Sequence, residues 1–163
     1  MGNKLTQFIL DTPQKGKVEF LSYRKEHKGA VITADKVNIL EESGIEGDHY
    51  GKKGKRMVTI IQKEHLEAIA KILKKDNIDP KLTRRNIVVS GFNLKSLIGH
   101  KFRLGKSAVL LATGDCVPCN RMEENFGPGG YHALVGHGGI TCQVIEAGSV
   151  ELGDELSILK EAE

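Results

Sequence analysis

The chain has 163 residues, of which 39% are hydrophobic and 28% charged, enough for one domain with its own core. Its net charge of +3 is too small to indicate nucleic-acid binding, and no apolar run approaches the roughly 18 residues of a membrane span. Three cysteines, an odd number without a recognisable secretory leader, favour free thiols in a reducing compartment. We therefore expect a cytoplasmic protein without a nucleic-acid or membrane partner.

Short strands are predicted along the first third of the chain. Residues 1–16 are polar, contain Pro13, and are expected to form a loose arm or a short edge strand. Alternating or compact apolar runs predict strands at 17–23, 30–40 (one or two strands) and 57–61. The glycines of 44–51 predict a loop before the last of these strands.

One clear helix is predicted at about 63–75, where Leu66, Ile69, Ala70 and Leu73 form an apolar stripe at helical spacing. Further strands are predicted at 87–89, 98–104, 109–112, 140–145 and 152–158. Seven to nine short strands separated by turn signals predict a mainly β fold, a closed or partly open barrel with short extra helical turns. We expect a single domain over 17–159 and a tail over 160–163.

Two of the three cysteines lie in one loop, Gly114–Arg121, directly after an apolar strand and before the most glycine-rich part of the chain. Cys116 and Cys119 form a C-x-x-C pair, a spacing that is often a redox couple. The βαβ surroundings of the thioredoxin type are missing, although a short helical turn at 119–125 is compatible with the sequence. Another ordinary interpretation is a loop cysteine without any role.

The same cysteines match the spacing of a zinc finger together with His132 and His137. A finger needs both histidines on one helix, and the glycines around them disfavour a stable helix there. We therefore do not favour zinc.

Basic and glycine-rich elements elsewhere predict an anion site. Arginine binds phosphate with a planar fork of donors, asparagine adds donors and an acceptor, and glycine amides allow close approach of a ligand. Glu46 and Asp48 are expected either to hold Arg56, Arg84 and Arg85 in place or to bond a ligand nitrogen. The elements are Gly44–His49, Arg56 and Arg84-Arg85-Asn86.

Several short motifs follow one another along the chain: Gly44-Ile45-Glu46-Gly47-Asp48-His49, Arg56, Arg84-Arg85-Asn86-Ile87, Leu97-x-Gly99, Pro118-Cys119, His137-Gly138-Gly139 and Gly153-Asp154. In this order they resemble a MOSC domain, the C-terminal domain of molybdenum cofactor sulfurases, over about residues 17–159. The resemblance implies a β-barrel and a link to molybdopterin chemistry. It places the family's key thiol at Cys119, while Cys116 is an addition that leaves room for a disulfide or a relayed persulfide.

The resemblance also implies a cofactor site. Cys119 would be a thiolate ligand to molybdenum, and the glycine loops at 127–130 and 136–139 would line the open face. Some family members are fused to pyridoxal-phosphate-dependent, cysteine-desulfurase-like domains. We expect this chain to be a stand-alone member, with a separate cysteine desulfurase or electron-donating reductase as partner. The residues expected to bind the cofactor are Asp48, His49, Arg56, Arg84, Arg85, Asn86, Gly138 and Gly139.

Three functions remain open at this level. In the first, the protein binds the molybdenum cofactor and takes part in the reduction of N-hydroxylated compounds. In the second, Cys119 carries a persulfide and delivers sulfur to a metal centre elsewhere. In the third, the domain binds a small molecule without covalent chemistry.

Overall fold

The computed structural model describes residues 3–160 and contains a closed barrel of seven strands. The strands of the described chain are β1 (Gly16–Tyr23), β2 (Ile32–Ala34), β3 (Lys36–Leu40), β4 (Gly44–Ile45), β5 (Val58–Gln62), β6 (Ile87–Ser90), β7 (Lys101–Leu104), β8 (Ala108–Asp115), β9 (Ile140–Glu146), β10 (Gly148–Glu151) and β11 (Glu155–Ile158). The α-helices are α1 (Lys4–Leu10), α2 (Lys63–Ile72), α3 (Asn120–Phe126) and α4 (Gly130–Leu134), with 3-10 turns at Pro80–Thr83 and Leu94–Leu97.

The barrel strands follow the order β11, β7, β8, β9, β5, β6, β1, and pairing of Gly16 with Leu156 joins β1 back to β11. Only β5 and β6 run parallel among these neighbours, because α2 and the Pro80–Thr83 turn carry the chain back to the same end of the barrel. β2 adds to the outside edge of β1, and β3 joins β4 and β10 in a second, three-stranded sheet.

Aliphatic side chains fill the barrel, as the shortage of aromatic residues requires. Ile60, Leu110 and Leu156 are fully buried in the interior. On β5 the next residue, Ile61, points to the other face, where it packs with Ile69 of α2 in a second cluster. Burying one such side chain stabilises the fold by about 1.5–3 kcal/mol relative to leaving it exposed. The period of two along β5 therefore decides that α2 packs on the outside of the barrel.

The predicted fold class is confirmed, and the predicted helix at 63–75 is present but ends at Ile72. The expectation of a loose arm or an edge strand in 1–16 is wrong, because residues 4–10 form α1. Asn3 caps this helix by accepting a hydrogen bond from the Thr6 amide at 2.8 Å. Residues 1–2 and, in the predicted tail, 161–163 lie outside the described residues.

The glycine-rich segment after α3 also differs from the expectation that no stable helix forms there. His132 lies in α4, while His137 lies beyond its end. The Glu123 carboxylate accepts hydrogen bonds from the amides of Gly129 (3.1 Å) and Tyr131 (3.0 Å), so a local polar contact outweighs the poor helix propensity of glycine. Within residues 3–160 no helix has the length and apolar character needed to cross a membrane.

Candidate functional site

The thiol loop lies where β8 leaves the barrel and α3 begins. Cys116 follows the last residue of β8 and is buried, with only 2% of its surface exposed. Its amide donates a 2.8 Å hydrogen bond to the carbonyl of Gly139. Cys119 is the N-cap residue of α3 and is exposed. One of the two cysteines is therefore held inside the fold, and the other is open to a ligand or a partner.

Cys119 opens onto a cleft of about 690 Å³, which we call the thiol cleft. Its charged lining is strongly cationic, with Asp48 and Glu124 as the carboxylates. With neutral histidines, the lining has five more positive than negative charges. The positively charged residues are Arg24, Lys28, Lys52, Arg56, Arg84, Arg85 and Arg121. A concave surface with this charge concentrates anions.

Three arginines from separate parts of the chain, Arg24, Arg84 and Arg121, repel one another near the thiol. Burial lowers the pKa of Arg24; the Asp48 carboxylate opposes that effect, and Arg121 and Arg85 add to it. Burial likewise lowers the pKa of Arg84, with further contributions from Arg24 and Arg121, while Cys119 acts in the opposite direction. These mutual repulsions raise the energy of the cluster, and a bound anion would relieve them.

Arg84 has a buried donor that is not used within the described part of the protein. Its backbone is left-handed (φ 59°) at the end of the Pro80–Thr83 turn, and its side chain lines the cleft. One terminal nitrogen donates to the carbonyl of Gly29 at 2.8 Å. Its Nε is buried and has no hydrogen-bond partner among residues 3–160. An acceptor supplied by a ligand would satisfy this donor.

Of the two roles expected for Glu46 and Asp48, pairing with the arginine side chains is not seen among the described residues. The Asp48 carboxylate accepts from the backbone amide of Arg24 at 3.0 Å, and its other oxygen lies 3.6 Å from Nδ1 of His49. Glu46 instead accepts from the side-chain amide of Asn38 at 3.1 Å. Asp48 therefore joins the loop to the end of β1, and His49 lines the thiol cleft with its ring edge-on to His27.

Arg85 and Asn86 line the cleft, but most of their polar groups are used within the protein. The Asn86 side-chain oxygen accepts from the Thr59 amide at 3.0 Å, and its nitrogen donates to the Ser22 carbonyl at 3.3 Å. The Arg85 guanidinium donates only to backbone carbonyls, described below. Both residues are more than nine-tenths buried. They form the wall of the cleft. Among the other cations of the lining, Arg24, Arg84 and Arg121 are half-buried, whereas Lys28, Lys52 and Arg56 are exposed.

Gly138 and Gly139 lie behind the thiol loop, where their backbone packs closely against other backbone segments. A Cβ on Gly138 would lie 2.3 Å from the Cys116 carbonyl oxygen, and one on Gly139 would lie 2.1 Å from that of Ile60. Gly139 also has a φ of +89°, which only glycine adopts without strain. Neither residue, nor the 127–130 segment, lines the cleft. These glycines let backbone strands approach each other.

All three cysteines are free thiols, so Cys116 and Cys119 are not joined in this structure. The Cys116 sulfur lies 3.9 Å from a terminal nitrogen of Arg56. Among residues 3–160 no three His, Cys, Asp or Glu side chains gather as a metal site. His137 instead packs its ring 5.0 Å from that of His65.

Sequence reasoning missed several residues that the structure adds to the site. Arg24 and Lys28 belong to a segment that reads as a charged turn, and Arg121 stands two residues after Cys119 without any motif of its own. Only the proximity of Arg121 to the thiol was a usable signal. Arg24 reaches the cleft because the end of β1 lies beside the Asp48 loop, a contact between distant parts of the chain.

Comparisons with known proteins agree with this architecture. The family model of the MOSC domain matches residues 25–157. The crystal structure of the YuaD protein from Bacillus subtilis superposes with a TM-score of 0.76 at 24% identity, covering 87% of this chain and 94% of that one. The crystal structure of YiiM from Escherichia coli superposes with a TM-score of 0.66 at 20% identity over 90% and 71% of the two chains.

A third structure, YiiM from Geobacillus stearothermophilus, has a TM-score of 0.70 at 14% identity and covers 89% of this chain and 75% of that one. At these identities the likeness establishes a shared fold. Comparison with curated protein sequences finds no significant match.

Proposed function

We propose, because the chain belongs to the MOSC domain family, that the thiol cleft binds the pterin-based molybdenum cofactor with Cys119 as a sulfur ligand. The observation that carries the proposal is the exposed Cys119 thiol at a cleft whose charged lining is dominated by arginine and lysine. The family links the domain to this cofactor in general terms, and the residues of this chain supply the specific argument.

The residues present fit such a group. A cleft of about 690 Å³ falls within the roughly 300–1,000 Å³ of small-molecule sites. The cofactor carries a phosphate, which suits the cationic lining and the unpartnered Nε of Arg84. A thiolate is a soft donor suited to a transition metal.

The residues of the cleft take three different roles in this proposal. Arg24, Arg84 and Arg121 bind the phosphate, and arginine suits this task because its planar fork can donate two parallel hydrogen bonds. Asn86 and Arg85 form the wall of the cleft, and Cys119 would coordinate the metal through its sulfur. When bound, the cofactor supplies two-electron redox chemistry. The activity that we propose for the loaded protein converts an N-hydroxylated base to the amine and water, consuming two protons and two electrons from a separate reductase.

The proposal is tested by expressing the protein in a host that makes the cofactor. Molybdenum is measured by elemental mass spectrometry and pterin by fluorescence of its oxidised form. We expect equal amounts of both in the wild type, and strongly reduced molybdenum in Cys119→Ala. Cys142→Ala is the matched control, because Cys142 is fully buried in β9 and does not line the cleft. Protein without molybdenum, or Cys119→Ala that keeps it, contradicts the proposal.

A second candidate function is supported by the exposure of Cys119 alone among the three cysteines. As a sulfur carrier, Cys119 would attack the outer sulfur of a persulfide on a cysteine desulfurase, so that the desulfurase S–S bond breaks, its cysteine leaves as a thiolate, and Cys119 holds the persulfide. It would then pass the outer sulfur to an acceptor and return to the thiol. Mixing with a desulfurase and its substrate should add about 32 Da to the wild type but not to Cys119→Ser. No added mass under conditions that load a known carrier contradicts this candidate. If Cys119→Ser binds the same ligand as the wild type, the non-covalent binding module is favoured instead.

A further inference from the structure

We propose that Arg85 is a positioning residue, whose buried guanidinium holds the segment between β8 and α3 so that Cys119 faces the thiol cleft. The inference rests on the proposed function only in taking Cys119 as the reactive group. Its evidence is a set of hydrogen bonds that join three separate parts of the chain through one side chain.

The Arg85 guanidinium donates in three directions. Its Nε donates to the Gly138 carbonyl at 2.8 Å, and Nη1 donates to the Thr83 carbonyl at 3.1 Å. Its Nη2 lies 3.2 Å from the Cys116 carbonyl oxygen and 3.5 Å from that of Val117. A planar fork of fixed donors suits these acceptors, whereas a lysine ammonium is a point charge and cannot span them.

All four acceptors are backbone carbonyls, so the bonds fix main chain and not side chains. Arg85 is 8% exposed, and carbonyls buried around a missing guanidinium would lose their donors, which is costly away from water. The affected backbone leads directly to Cys119, three residues after Cys116. The position of the thiol therefore depends on Arg85 although Arg85 forms no contact with the thiol among the hydrogen bonds described.

Two buried thiols report separately on this segment and on the barrel. Cys116 belongs to the held segment and is 2% exposed. Cys142 lies in β9, is fully buried, and pairs in register with Val58 of β5 and Ala112 of β8. Release of the segment exposes Cys116 alone, whereas loss of global stability exposes both thiols.

The test measures alkylation by iodoacetamide under native conditions in a Cys119→Ser background, so that one label on the tryptic peptide 107–121 reports Cys116. We expect Arg85→Ala to raise the alkylation rate of Cys116 by about tenfold or more, because hydrogen bonds to a charged group are lost, while Cys142 stays protected. Added methylguanidinium should restore protection of Cys116. Arg103→Ala, which lies on β7 outside the cleft, is the control with unchanged protection.

Arg85→Lys keeps the charge and covers the case in which Arg85→Ala fails to fold. We expect faster alkylation of Cys116 than in the wild type, and, with Cys119 intact, a weaker preference of Cys119 for anionic over neutral alkylating reagents. Simultaneous exposure of Cys116 and Cys142 would reduce Arg85 to a general stabilising residue and overturn the proposal. Continued protection of Cys116 in both variants would overturn it too. A wild type without molybdenum contradicts the proposed function, yet the thiol pattern still decides the role of Arg85.

Discussion

Replacement of Arg121 by alanine should weaken the attraction of the thiol cleft for anions without disturbing the fold. Arg121 lies in the first turn of α3, two residues after Cys119, and lines the cleft. Alanine is the best helix former, so α3 is retained. The variant therefore isolates one positive charge near the exposed thiol.

The size of the effect follows from the charges. Clefts of one sign raise the local concentration of opposite charge and on-rates by about 10–1,000-fold, and with an excess of five positive charges we expect at least about tenfold. One charge at an assumed separation of about 6 Å contributes about 0.7 kcal/mol in a water-like dielectric, or roughly threefold. Salt should reduce both factors, because the Debye length is only about 8 Å at physiological ionic strength.

The assay compares alkylation of Cys119 by anionic iodoacetate and neutral iodoacetamide. Each rate ratio is divided by the ratio measured for a neutral cysteine derivative, which removes the intrinsic difference between the reagents. The label is assigned to Cys119 by fragmentation of the tryptic peptide that contains it, because this peptide also contains Cys116. Arg103→Ala serves as the control, since Arg103 lies outside the cleft.

We expect a normalised ratio well above one for the wild type and about one third of that value for Arg121→Ala. A wild-type ratio of one would refute the reasoning, because the cationic lining would then exert no field at the thiol. An unchanged ratio in Arg121→Ala would remove Arg121 from the site.

Two further predictions concern stability. Gly139→Ala should destabilise the protein by about 2 kcal/mol or more in urea unfolding, because the φ of +89° causes strain and a Cβ would lie 2.1 Å from the Ile60 carbonyl oxygen. Gly136 has a φ of +79° but open space around its Cβ, so Gly136→Ala should lose clearly less stability. Equal losses of stability in the two variants would contradict this ranking. Burial lowers the pKa of His65 below its ordinary 6.5, and the neighbouring His137 lowers it further. As the pH falls below 6.5, the unfolded chain therefore binds more protons than the folded one, and the free energy of unfolding decreases. His65→Gln should therefore make the free energy of unfolding in urea fall less steeply as the pH drops from 7 to 5.5, and the change should be small because the ring is only partly buried. An unchanged slope would contradict the assignment.

The pattern of local sequence predicted much of the barrel. Ile98–Leu104 and Leu152–Ile158 resemble each other in sequence, and each contains a glycine with a φ of +88° before a strand. The resulting strands, β7 and β11, pair with each other in the barrel. Alternation and turn glycines predicted these elements because strand faces and positive φ angles depend on the residues themselves.

The site was predictable in its parts but not in their roles. Cys119 follows from its motif and stands exposed at the cleft, and Arg84 also faces it. Arg85 is next in sequence and of the same type, yet its side chain is used by carbonyls of distant segments. The identity of a side chain states which bonds it can form, and only the surroundings decide which it does form.

By itself, the sequence determined the seven barrel strands, the main helix, the thiol loop and the resemblance that led to the family. Each of these depends on residues close together in the chain or on motifs in a fixed order. The sequence predicted neither β4, which lies in the expected loop at 44–51, nor β10. The tertiary structure decided that Arg24 and Arg121 join Arg84 at the cleft, that Cys116 is buried while Cys119 is exposed, and that Gly138 and Gly139 pack behind the loop. Barrel closure brings these segments together, and such contacts between distant residues leave no local pattern in the sequence.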